Sequence, residues 1–139
     1  MEVVATRILG LDVGDIRIGV ALSDPQGILA SPLTIITRTD EEADAGAVID
    51  IARQNQVGRI IIGLPLSMDG SQGKQAEKVK EFVELLCRHT EVPVEFRDER
   101  LSTVSAKRMV QGIRKTGKGT RYDAMAAALI LQGYLDEAL

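Results

Sequence analysis

The chain reads as an α/β domain, a mixed five-stranded sheet flanked by helices on both faces, and three observations predict it. The first third of the sequence is a series of apolar runs broken by short polar turns, the pattern of a hairpin meander. From Thr39 onward, apolar residues at helical spacing alternate with short apolar runs, which implies parallel strands joined by helical crossovers. The 139 residues, 45% of them hydrophobic, are enough for one domain, residues 1–139, to bury an unaided core.

Ile8 to Ser23 reads as two apolar strands joined by a tight turn, with Asp12 where the first strand ends. Gly14 and Gly19 leave backbone unshielded there, so a ligand or another strand is expected to approach closely. Asp24-Pro25-Gln26-Gly27 is a turn before a third extended segment within Ile28 to Ile36. Thr39-Asp40-Glu41-Glu42 has capping-box spacing, and Ala47, Val48, Ile51 and Ala52 follow on a helix expected to end near Gln56. Arg59 to Gly63 is a short apolar strand of the kind buried on both faces, and Leu64 to Gly73 is a loop. A second helix carries Ala76, Val79, Val83 and Leu86 on one face, and Val92 to Asp98 is a strand whose Pro93 suits an edge or a strand start. Ser102 caps a third helix with Ala106, Met109, Val110 and Ile113 as its buried stripe. Thr116 to Thr120 is a loop by composition, and Thr120 and Asp123 have capping-box spacing before a last helix, whose small face is Ala124, Ala127, Ala128 and Leu131. The order β-β-β-α-β-α-β-α-α is similar to the ribonuclease H-like arrangement.

Composition excludes several function classes. With 3% aromatic residues and no Trp, a stacking platform for single-stranded bases is not expected. One cysteine, Cys87, allows no internal disulfide, and together with one histidine, His89, makes a thiolate–imidazole zinc site improbable. Both read as structural or surface residues. No apolar run approaches a membrane span and no secretory signal opens the chain, so a cytoplasmic protein with no membrane partner is expected. The net charge of −3 conceals a segregation. Arg100 to Tyr122 holds seven bases and no acid, which leaves ten bases against all twenty acids elsewhere. That is the footprint of a phosphate-binding face on an acidic body, although a solvated helix and loop would have the same composition.

Carboxylates stand at the ends of several elements: Asp12 after the first strand, Asp98-Glu99 after the last, Asp123 at the opening of the final helix. Asp12 follows buried residues, so it requires a partner: a metal, a phosphate-bound cation or a backbone amide. Asp98 and Glu99 also fit a solvated strand end, and Asp123 the acidic half of a capping box. If the first strand is central, these ends converge on one edge, where divalent cations would neutralise them. Two such cations can bind a phosphate, activate water and stabilise the leaving oxygen. With so little imidazole and thiolate, Mg²⁺ or Mn²⁺ is the expected ion.

Gly10-Leu11-Asp12-Val13-Gly14 with Arg17-Ile18-Gly19-Val20-Ala21 resembles the opening motif of the YqgF-type family, Holliday junction resolvase-like proteins also described as pre-16S ribosomal RNA nucleases. The resemblance continues at Gly63-Leu64-Pro65 with Asp69-Gly70, at Asp98-Glu99-Arg100-Leu101-Ser102-Thr103, and at Asp123 with Ala126-Ala127, in order along nearly the whole chain. It implies a ribonuclease H-like fold and a metal-dependent nuclease with Asp12, Glu99 and Asp123 as catalytic acids. The loop Lys115 to Arg121 is richer in hydroxyls than is usual in that family, and Tyr122 stands where a small aliphatic residue is more common. Structured RNA or branched DNA is the expected partner, its phosphates held by Arg17, Arg100, Lys115, Lys118 and Arg121. A junction resolvase would act as a symmetric homodimer. Two other classes fit part of the pattern: a non-catalytic nucleic-acid or ribosome-assembly module, and half of an actin-like ATP site, since Asp-Val-Gly between two strands also resembles a phosphate-binding hairpin.

Overall fold

The computed structural model describes residues 7–67, 69–99 and 119–138. Within them the elements are β1 (Arg7–Val13), β2 (Arg17–Ser23), β3 (Ala30–Thr37), α1 (Glu41–Gln54), β4 (Val57–Leu64), α2 (Lys74–His89), β5 (Val94–Asp98) and α3 (Gly119–Ala138). The strands form one sheet in the order β3-β2-β1-β4-β5. The β1–β2 and β2–β3 pairs are antiparallel, and the β1–β4 and β4–β5 pairs are parallel. The mixed five-stranded sheet expected from the sequence is present, with β1 at its centre.

Alternation along the strands gives the two faces different characters. Leu9, Leu11 and Val13 of β1, Ile18, Val20 and Leu22 of β2, and Ile60 and Ile62 of β4 pack against Ala45, Val48 and Ala52 of α1 and Val79, Phe82, Val83 and Leu86 of α2. The opposite face mixes small residues with a few large ones. Ala21 and Ile61 meet Ala127, Ala128, Ile130, Leu131 and Leu135 of α3. There Gly10 brings the helix so near that a Cβ would lie 2.7 Å from the Cβ of Leu131 and 3.0 Å from the Ala127 carbonyl oxygen. The alanine face of α3 and the glycines of the sheet thus allow backbone to approach backbone, and whatever α3 carries near its start is held tightly over β1 and β2.

Several expected boundaries move for local reasons. Oδ1 of Asp24 accepts the backbone N–H groups of Ile28 (2.7 Å) and Leu29 (3.0 Å), so those two residues belong to the turn and β3 starts at Ala30. The first helix is capped by Asp40 rather than Thr39. Asp40 Oδ1 accepts the Ala43 N–H at 2.8 Å, while the Thr39 N–H donates to the Asp44 carboxylate. That helix ends at Gln54, and Gln56 has positive φ, which terminates it before the expected point. The last helix begins at Gly119, so Asp123 lies more than a turn inside it rather than at its cap. A capping-box pattern marks where a helix can start, not where it must. The helix expected after Ser102 lies outside the described residues, as does most of the loop before Thr120. Among the described residues no helix is long and apolar enough to cross a membrane.

Candidate active site

The β1–β2 turn is braced from below. Its own backbone closes through the Gly14 N–H donating to the Arg17 carbonyl (2.9 Å), and the Arg38 N–H donates to the Ile16 carbonyl (2.8 Å). Nη1 of Arg38 donates to the Gly14 carbonyl at 2.9 Å, and Nε donates to Oδ2 of Asp44 at 3.1 Å. Asp44 is 2% exposed, and the guanidinium also lies 5.2 Å from the Phe82 ring centroid. A buried ion pair of this kind costs desolvation and gains little net stability, but it fixes geometry. It fastens the turn after Asp12 to the start of α1. The pair joins residues six apart across a helix start, a separation at which sequence periodicity carries no signal.

Asp12 lies opposite Gly19 in the β1–β2 register. A Cβ at Gly19 would collide with the Asp123 carbonyl oxygen and come 3.1 Å from the Ala124 nitrogen. The open backbone at Gly19 is therefore filled by α3, not by a ligand or another strand as expected. At Gly14 the nearest atom is the carbonyl oxygen of Arg17 in the same turn, at 2.8 Å from a built Cβ. Gly63 on β4 supplies a third opening. A Cβ there would lie 2.7 Å from Oε1 and 2.9 Å from Cγ of Glu99, so the missing side chain is the space that Glu99 occupies. Sequence reading linked Gly63 to a motif but not to this role, because the contact joins β4 to a residue thirty-six positions away.

Glycine at 19 and 63 thus brings Asp123 and Glu99 in from either side of Asp12. Asp12 and Glu99 share a hydrogen bond. Burial, the charge of Asp12, that hydrogen bond and the charge of Asp98 together push the Glu99 carboxyl up to about 7. Burial and the charge of Asp123 also raise Asp12, against the lowering effect of the bond from Glu99. Glu99 is therefore the member that keeps the proton and donates it to Asp12. The Asp123 carboxylate accepts a hydrogen bond from Arg17 Nε at 2.6 Å.

The expected site residues fare differently. Asp12 and Glu99 are in contact, Asp123 is within electrostatic range of Asp12, and Arg17 is paired with Asp123. Arg100, Lys115 and Lys118 lie outside the described residues, and of Arg121 only the backbone, in the first turn of α3, is described. His89 lies 3.4 Å from the Glu42 carboxylate and Cys87 is exposed, which agrees with their reading as surface residues. Among the described residues no three His, Cys, Asp or Glu side chains stand together at metal-holding spacing. The donor chemistry still fits a hard divalent cation. Two desolvated carboxyls that must otherwise share a proton can both ionise beside a divalent cation, and carboxylate oxygen is the donor Mg²⁺ and Mn²⁺ prefer.

The model of the family described as "RuvX: Holliday junction resolvase" matches residues 6–137. A protein of Desulforamulus reducens, named "Putative pre-16S rRNA nuclease", is 48% identical over 132 residues, covering 94% of this chain and 96% of its own. A protein of Dehalococcoides mccartyi with the same name is 48% identical over 125 residues, 90% and 94% of the two chains. Among solved structures, Thermus thermophilus RuvC in complex with a Holliday junction substrate superposes with a TM-score of 0.63 at 14% identity, covering 96% of both chains. The fowlpox virus resolvase with Holliday junction DNA gives 0.57 at 14% identity, covering 96% of this chain and 99% of that one. At that identity the structures establish a shared ribonuclease H-like fold.

Proposed function

The chain belongs to the RuvX family of Holliday junction resolvase-like proteins, and from that membership we propose that it is a divalent-metal-dependent nuclease acting on structured nucleic acid in the cytoplasm. The observation that carries this reading is the Asp12–Glu99 carboxyl pair beside Asp123, drawn from three elements onto one edge of the sheet by glycines. Relatives 48% identical are named for pre-16S rRNA, which favours precursor ribosomal RNA as the substrate, with a DNA junction as the second reading from the family description. On a two-fold symmetric junction the chain would work as a homodimer.

In this reading Asp12, Glu99 and Asp123 would hold Mg²⁺ or Mn²⁺, with Asp12, which interacts with both others, central to the set. Such cations would activate water and neutralise charge on the phosphate and the leaving oxygen. Glu99 would have to release its proton to serve as a ligand. Arg17, its side chain 40% exposed, orients the scissile phosphate next to Asp123. Arg100, Lys115, Lys118 and Arg121 extend the basic track along the backbone of the substrate.

The test is cleavage of matched precursor-16S RNA and four-way junction DNA with Mn²⁺, against the same reactions in EDTA. Metal-dependent scission of the RNA at its immature ends is the expected result. Tight binding without turnover on either substrate would instead leave a non-catalytic nucleic-acid module. A pH dependence follows from Glu99. Since its proton must leave, Mn²⁺ affinity should rise about tenfold per pH unit up to about 7 and flatten above it. Calorimetry in two buffers of different ionisation enthalpy measures the released proton, and a pH-independent affinity would contradict the role given to Glu99.

A further inference from the structure

The side chain of Arg97 on β5 is 8% exposed and meets Glu137 of α3 with two parallel bonds, Nη1 to Oε2 at 2.7 Å and Nη2 to Oε1 at 3.1 Å. The guanidinium lies over Gly133, where a Cβ would come 2.8 Å from Nη2 and 3.0 Å from Nε. In the parallel β4–β5 register Arg97 is the partner of Gly63, the residue whose missing side chain makes room for Glu99. Among the described residues β5 is an edge strand, held in the sheet by β4 alone. One residue pair back, Glu95 links to the same helix through Arg59, which bonds both Glu95 (2.7 Å) and the Tyr134 hydroxyl (2.8 Å). An edge strand with a neighbour on one side can tilt, and Glu99 lies one residue beyond its end.

We infer that Arg97 is a positioning residue: its clamp on Glu137, seated at Gly133, sets the angle of β5 to α3 and so delivers Glu99 to Asp12. The inference rests on the nuclease reading of that acid pair. Glu137 is itself 62% exposed at its side chain, so the outer half of the clamp can be removed without opening the core. Support for a ligand from behind is typically worth about tenfold or more in metal affinity or rate.

The experiment is a double-mutant cycle between Glu137→Ala and Glu99→Gln, read as Mn²⁺ affinity by calorimetry, with kcat, substrate Kd and Tm measured in parallel. Glu137→Ala should weaken Mn²⁺ about tenfold and lower kcat to match, leaving substrate Kd within about twofold. In the Glu99→Gln background the same substitution should change Mn²⁺ affinity no further. Gly133→Ala, which pushes on the guanidinium from the helix side, should reproduce the effect. Arg97→Lys, which keeps the charge but not the two-pronged bond, should show a smaller loss than Glu137→Ala. An unchanged affinity in Glu137→Ala, or an equal loss with and without Glu99, would overturn the inference and leave the clamp merely structural. If Glu99→Gln alone leaves both Mn²⁺ affinity and turnover intact, the nuclease reading fails first and takes the inference with it.

Discussion

Asp12→Asn is expected to lower cleavage by about a thousandfold or more, the scale of removing a central catalytic group, in protein that melts no lower than the wild type. The two halves of that result have one cause. Asp12 is raised by burial and by the charge of Asp123, and Glu99 is raised to about 7 by burial and by Asp12. A carboxyl whose folded pKa is raised contributes stability that is complete below its unfolded value and is lost as pH rises through the folded one. For Glu99 that window runs from 4.5 to about 7. Wild-type protein in EDTA should therefore lose thermal stability between about pH 5 and pH 8, and Asp12→Asn, which removes one charge of the pair, should lose less. Melting curves at the two pH values and single-turnover cleavage with Mn²⁺ measure both halves. An Asp12→Asn protein that still cleaves in a metal-dependent way would remove Asp12 from the chemistry.

Gly19→Ala should be the most damaging single methyl in the sheet. Its Cβ meets the Asp123 carbonyl oxygen and the Ala124 nitrogen, both backbone, so no rotamer change relieves it and α3 must move. Overpacking of this kind costs about 3 kcal/mol, roughly 10 °C in Tm for a domain of this length. The same shift carries Asp123 away from Asp12, so activity should fall even at temperatures where the variant is folded. Gly46→Ala is the matched control. That glycine lies inside α1 with nothing within 4 Å of a built Cβ, so the substitution should stabilise the protein by about 0.5–1 kcal/mol through helix propensity. Equal melting temperatures for the Gly19 and Gly46 variants would mean that α3 does not sit on the sheet as described.

Much of the site was legible because its signals are local. Asp12 stands at the end of a run of buried residues, and an acid in such company needs a partner. Asp98-Glu99 stands where the last strand ends and Asp123 just before the alanine face of the last helix, and a meander followed by strand-helix alternation allows a central β1, so these positions can share one edge. What could not be read was how the charge of the acids is neutralised. Glu99 holds the proton and Asp123 faces Arg17, and both depend on distances between β1, β5 and α3, which lie far apart in sequence. Arg17 illustrates the difference. Its charge and motif position suggest a phosphate contact, and the fold adds a partner that no local pattern shows, an acid one hundred and six residues away.

By itself, then, the sequence determined the mixed five-stranded fold class and most of the described strands and helices, because periodicity and turn chemistry are properties of neighbouring residues, and through its family motifs it offered Asp12, Glu99 and Asp123 as candidate acids. The tertiary structure alone decided which glycines serve the site, which helix fills the opening at Gly19, and which carboxyl keeps its proton. Those outcomes depend on burial and on charge–charge distances of a few ångströms, quantities that exist only once the chain has closed on itself.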